Sequence, residues 1–142
     1  MKAAILISLL AGLFALRATA EPITLGRGSI TLPTGVTHNK GRGIDTEVGS
    51  FRSSDGTPEV HYDIGWQPGD FSAPKDTSAF TFFRAGTVND MPYWAAIHRD
   101  RPTSISIVFP KSGPACFWAT IATPEDTDKV LKLILRYTPT KQ

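Results

Sequence analysis

From Glu59 to Trp66 the chain alternates without a slip: Val60, Tyr62, Ile64 and Trp66 fall at even positions, Glu59, His61, Asp63 and Gly65 at odd ones. A period of two sends successive side chains to opposite faces of a strand. The segment therefore predicts a half-buried strand, four apolar residues inward and Glu59, His61 and Asp63 outward. A second strand-compatible run, Glu47 to Arg52, precedes it. The link Ser53-Ser54-Asp55-Gly56-Thr57-Pro58 holds the Asp-Gly pair that suits a tight turn, which predicts a hairpin and antiparallel pairing.

Upstream, Pro22 to Leu25 and Ser29 to Pro33 read as short strands broken by Gly26-Arg27-Gly28, with the prolines at strand ends or on an edge. Thr34 to Gly43 has turn chemistry and a basic cluster of His38, Lys40 and Arg42, and is expected to be a solvated loop. Downstream, Gln67 to Ser78 is predicted as a surface connection with a helical turn around Phe71. Ala79 to Val88 is expected to be a strand covered on both sides, Phe80 and Phe82 on one face and Phe83 on the other. Asn89-Asp90-Met91-Pro92 turns the chain into a strand from Tyr93 to Arg99. Ser104 to Phe109 alternates cleanly, and Ala115 to Ala122 is apolar on both faces, as a central strand should be. The short turns between these segments leave no room for the long crossovers that parallel pairing needs.

One helix is sharply marked. Thr123 is placed as N-cap, Pro124 as the first helical residue, and Asp126 completes a Thr-x-x-Asp capping box. Glu125, Asp126 and Asp128 come early and Lys129, Lys132 and Arg136 late, in keeping with the helix dipole. Val130, Leu131, Ile134 and Leu135, with Leu133 or Tyr137 at the margins, form the apolar stripe. The fold class that follows is α+β: an antiparallel β-sheet of about six to seven strands with a C-terminal α-helix packed on one face.

The amino terminus reads as an export signal. Lys2 supplies a positive start, Ala3 to Leu16 an apolar run too short to span a membrane comfortably, and Ala18-Thr19-Ala20 a small-x-small cleavage pattern. Residues 1–20 are expected to be a signal peptide and 21–142 a single domain, secreted or periplasmic, with no stable membrane anchor after cleavage. Losing Lys2 and Arg17 from the fifteen basic residues leaves thirteen against thirteen acidic ones, so electrostatics do not favour nucleic acid as a partner. Cys116 is the only cysteine, which excludes an intramolecular disulfide, and its apolar surroundings suit a small hydrophobe better than a reactive thiol.

Two kinds of chemistry are open to these residues. Glu59, His61 and Asp63 on one strand face, joined by His98 or His38, make a mixed nitrogen and oxygen set suited to zinc, and with His61 as base a metal-dependent hydrolase. Cys116 with His98 is the only cysteine and histidine pair on which a thiol nucleophile could rest. The other possibility is recognition. Trp66, Trp94 and Arg99 are candidate partner-binding residues, the tryptophans offering aromatic surface beside a cation, while Trp118 is expected in the core. The preferred expectation is a non-catalytic binding or accessory module with no cofactor, its partner an unknown protein or small-molecule ligand.

The helix introduced by Ala122-Thr123-Pro124-Glu125-Asp126 and continued by Val130-Leu131-Lys132-Leu133-Ile134-Leu135, with the opening Ile30-Thr31-Leu32-Pro33-Thr34-Gly35, resembles the PsbP/Mog1-type α/β/α sandwich. The middle segments Gly43 to Gly49 and Tyr62 to Gly65 resemble small secreted bacterial proteins of unassigned role. The resemblance implies a domain that binds partners or assists an assembly, and it carries over no catalytic residue.

Overall fold

A computed structural model describes residues 20–111 and 113–140. The signal peptide expected over residues 1–20 lies, but for Ala20, outside the described residues.

The central alternation forms a strand over Val60–Gly65 with Val60, Tyr62 and Ile64 inward, but Trp66, expected inward with them, lies past the strand end and is exposed. In chain order the strands are β1 (Ile23–Leu25), β2 (Gly28–Ile30), β3 (Val36–Lys40), β4 (Thr46–Ser53), β5 (Val60–Gly65), β6 (Phe80–Val88), β7 (Met91–His98), β8 (Ser104–Phe109) and β9 (Ala115–Thr120), followed by helix α1 (Pro124–Ile134) and β10 (Tyr137–Pro139). The larger sheet has seven strands in the order β3-β4-β5-β9-β8-β7-β6, and the smaller has the order β1-β2-β10. Every pairing is antiparallel. Two meanders, β3-β4-β5 and β6-β7-β8-β9, thus meet where β5 pairs with β9.

Local chemistry fixes the turns. Asn89 and Asp90 both take positive φ, 49° and 64°, between the paired residues Val88 and Met91, the two-residue geometry that matches strand twist and that Asn and Asp tolerate. Gly56, at φ 83°, serves the β4–β5 link.

One face of the large sheet is the core. Phe51, Tyr62, Ile107, Phe109 and Phe117 point inward and are almost wholly buried. They are covered by α1 and by the small sheet, whose Tyr137 ring packs edge-on to Phe109 and Phe117 at centroid distances of 5.0 and 5.3 Å. From α1 come Val130, Leu131, Leu133 and Ile134, all buried, worth together roughly 6–12 kcal/mol as an upper bound. The capping box is present in full: the Asp126 backbone N–H donates to Thr123 Oγ1 at 3.2 Å and the Thr123 N–H donates back to Asp126 Oδ2 at 3.1 Å.

Several expectations need correction. The Thr34–Gly43 loop holds β3, because Val36–Lys40 finds a ladder along β4 that outweighs its turn-forming composition. Ala79–Val88 is no covered strand: β6 is an edge, and four consecutive residues from Arg84 to Thr87 are exposed. A register shift between Phe80 and Phe82 carries Phe80 to the same face as Phe83 and leaves Phe82 on the other. Residues 66–79 hold no helical turn around Phe71, and Tyr137 begins β10 instead of ending the helix. As expected, α1 is the single α-helix among the described residues, and it packs on one face of the large sheet. No helix among them is long and apolar enough to cross a membrane.

Candidate functional site

The outer face of the seven-stranded sheet is where the unexplained chemistry lies. The register aligns one residue from each strand in a row across it: Asn39, Ser50, His61, Trp118, Ser106, Ala96 and Phe83. Large rings therefore stand beside small residues. On one side of Trp118, Ser104, Ser106 and Ala96 are too small to fill the surface, and a depression of about 410 Å³ opens over them. Phe80, Trp94 and His98 give it aromatic walls, and Asp100 and Arg101 a charged rim. On the other side a shallower depression of about 450 Å³ lies beside His61, Val48 and Asn39. Trp118 stands between the two, 39% exposed and stacked on His61 at 5.8 Å.

The walls are held in place. Phe83 stacks on Trp94 at 6.4 Å, and Phe80 meets His98 edge-on at 5.5 Å. The Trp94 indole N–H donates to the Phe71 carbonyl at 2.9 Å, Arg99 Nε donates to the Ser78 carbonyl at 2.8 Å, and Gln67 Nε2 donates to the Asp63 carbonyl. These bonds pin the 66–79 connection as it passes from β5 to the far edge. The Asp100 backbone N–H donates to His98 Nδ1 at 3.2 Å, which makes Nδ1 the acceptor and leaves the proton of a neutral ring on Nε2. Arg101 forms no ion pair among the described residues.

The residues expected to hold a metal do not converge. Glu59 accepts from the Ser50 hydroxyl at 2.7 Å and from Arg52 at 3.0 Å; the Ser50 bond first, then Arg52, holds its carboxyl below the usual range. His61 stacks its ring on Trp118, and Asp63 lies opposite Cys116 across the β5–β9 ladder, its Oδ1 buried without a hydrogen bond among the described residues. His98 lies three strands from β5, about 14 Å at normal strand spacing. Among the described residues no three His, Cys, Asp or Glu side chains are placed to share a metal ion. His38 faces inward, where its Nε2 lies 2.7 Å from the Tyr62 hydroxyl. Cys116 and His98 are two strands and four residues apart along the register, about 16 Å, too far for a nucleophile and its base. Burial, and then Asp63, push the Cys116 thiol up to about 11.

The recognition candidates fare differently. Trp94 lines the depression and Arg99 buttresses the connection beside it, whereas Trp66, 74% exposed just past the end of β5, stands apart from both depressions. Trp118 is not in the core: its neighbours Phe117 and Ala119 take the inward positions and leave it outward, opposite His61 and Ser106. Phe80, Ser104 and Ser106 escaped the sequence-based reading. The polar parity of Ser104 to Phe109 marked the serines as outward, but the register shift that turns Phe80 has no local signal. Comparison of the chain with family models, with curated proteins and with solved structures finds no match.

Proposed function

We propose that the protein is a non-catalytic binding module working outside the cytoplasm, and that it takes its ligand on the outer face of the seven-stranded sheet. One observation carries the reading: the depression over Ser106 and Ala96, where braced aromatic side chains surround groups able to donate and accept hydrogen bonds. A volume of about 410 Å³ falls within the roughly 300–1,000 Å³ usual for ligand clefts, and a few placed polar groups amid aromatic surface is their usual composition. The export signal expected over residues 1–20 supports the compartment, and the PsbP/Mog1 resemblance of the chain ends supports a role in binding partners over catalysis.

Screening a library of small fragments by amide and indole NMR signals tests the site. Fragments should shift signals from Phe80, Trp94, Ala96 and Trp118 together. Shifts confined to the α1 side of the molecule, or none at all, would overturn the reading. Mass spectrometry of the exported protein should place its first residue at Glu21.

A further inference from the structure

Resting on that reading, we infer that the ligand of the outer face is an oligosaccharide chain lying across the strands, with Trp118 as its central stacking platform. The shape of the face comes first. The two depressions flank Trp118 in a line that runs from β7 to β4, four strand spacings or about 19 Å. That is an extended track for a chain, with rings at Phe80 and Trp94 at one end and at Trp118 and His61 in the middle.

The chemistry of its floor comes second. Strands β8, β9 and β5 are interior to the sheet, each laddered on both sides, so their backbone N–H and C=O groups are engaged. A peptide laid across them would find no main-chain partners, and its own N–H and C=O groups would stay unpaired where they touch the sheet. A pyranose ring brings what this surface lacks. Its axial C–H face is flat and apolar and packs on an aromatic ring, while its equatorial hydroxyls both donate and accept at its edge. The edge partners here are side chains: the hydroxyls of Ser104 and Ser106, the imidazole of His98, and Asp100 as acceptor with Arg101 as donor.

Charge decides against the other polymer that stacks on aromatics. Single-stranded nucleic acid needs a cationic path for its phosphates. Asp100 offsets Arg101 on one rim, Lys40 beside the other depression is paired with Glu47 at 3.7 Å, and between them the track is lined by His61, Asn39 and the hydroxyls of serine. A largely neutral chain of rings fits, and a polyanion does not.

The test is a glycan array carrying neutral and acidic oligosaccharides, with single-stranded DNA and unstructured peptides spotted as controls, probed with the fluorescently labelled wild-type protein and with Trp118→Ala and Phe80→Ala. Trp118 is partly exposed and Phe80 lies on an edge strand, so both variants should keep the wild-type circular dichroism spectrum and thermal midpoint. Wild type should bind at least one glycan class, and each variant should lose about tenfold or more of that signal. Binding to no glycan, binding that survives in both variants, or binding to the DNA or peptide spots instead would overturn the inference. Fragments that still gather at Trp94 and Trp118 by NMR would then leave the binding reading standing with a different ligand, and their absence would remove both.

Discussion

Cys116 sits on the outer face of β9 between Asp63 and Val108, and its position settles its chemistry. With its pKa pushed to about 11, about one thiol in 3,000 is ionised at pH 7.5, against about one in ten for a free cysteine. Alkylation at pH 7.5 should therefore run on the order of 100-fold slower in the native protein than in urea; equal rates would show a thiol open to solvent. His38 is the residue through which pH should act on stability. Burial lowers its pKa below 6.5, with Lys40 adding to that and Glu47 opposing it. Because the folded pKa is the depressed one, the unfolded chain binds the proton more readily. The stability His38 contributes is thus present above pH 6.5 and is lost as pH falls through 6.5 toward the folded value. The physical event is the charging of a partly buried imidazole whose Nε2 lies 2.7 Å from the Tyr62 hydroxyl; once protonated, Nε2 can only donate in that contact. Urea unfolding at pH 7 and pH 5 should show a larger drop for wild type than for His38→Gln, which keeps an acceptor but cannot titrate. An identical drop in both would place the pH dependence elsewhere.

At the scale of elements, α1 and β3 show what a sequence does and does not declare. The start of α1 is written within four residues: Thr123 and Asp126 close the capping box on each other, Pro124 takes the first helical position and Glu125 adds negative charge to the first turn, so local chemistry suffices. Thr123→Ala should cost about 1 kcal/mol, read as a shift in the urea midpoint without a change in slope. Leu131→Asp should unfold the domain, since it places an unpaired charge at a site only 5% exposed in the core; a native circular dichroism spectrum from that variant would mean α1 is not docked on the sheet. By contrast β3 is a strand because β4 lies beside it, and nothing inside Thr34–Gly43 states that. The same holds for the candidate site. The outward parity of His61 is plain from alternation, but its neighbour Trp118 comes from 57 residues away through the β5–β9 pairing, and the strand order that sets Ser106 and Ala96 next to it is long-range. Trp94 was legible as recognition surface because a tryptophan in an alternating strand must face one side or the other; Phe80 was not, because one bulge reversed it.

The seven-stranded sheet ends in two edges, and the molecule treats them differently. β3 is short, five residues, and Lys40 stands at its end, paired with Glu47 at 3.7 Å. β6 is nine residues long and leaves one side of its backbone unpaired, the kind of edge that recruits a second strand. Its centre is Arg84, which is exposed. If two copies paired β6 to β6 antiparallel about that centre, the two Arg84 side chains would lie directly opposite, and like charges in that position are destabilising. Arg84 thereby opposes the register centred on the strand, which would place Phe82 opposite Gly86 and Phe83 opposite Ala85 of the second copy and pair the greatest length of β6. Replacing it with valine removes the repulsion and adds a residue that favours strands. Arg84→Val should therefore sediment as larger species than wild type at matched concentration, with cross-links between its β6 strands, and Arg84→Lys should behave as wild type because it keeps the charge. Sedimentation of Arg84→Val indistinguishable from wild type would show that the edge is guarded by something other than this charge.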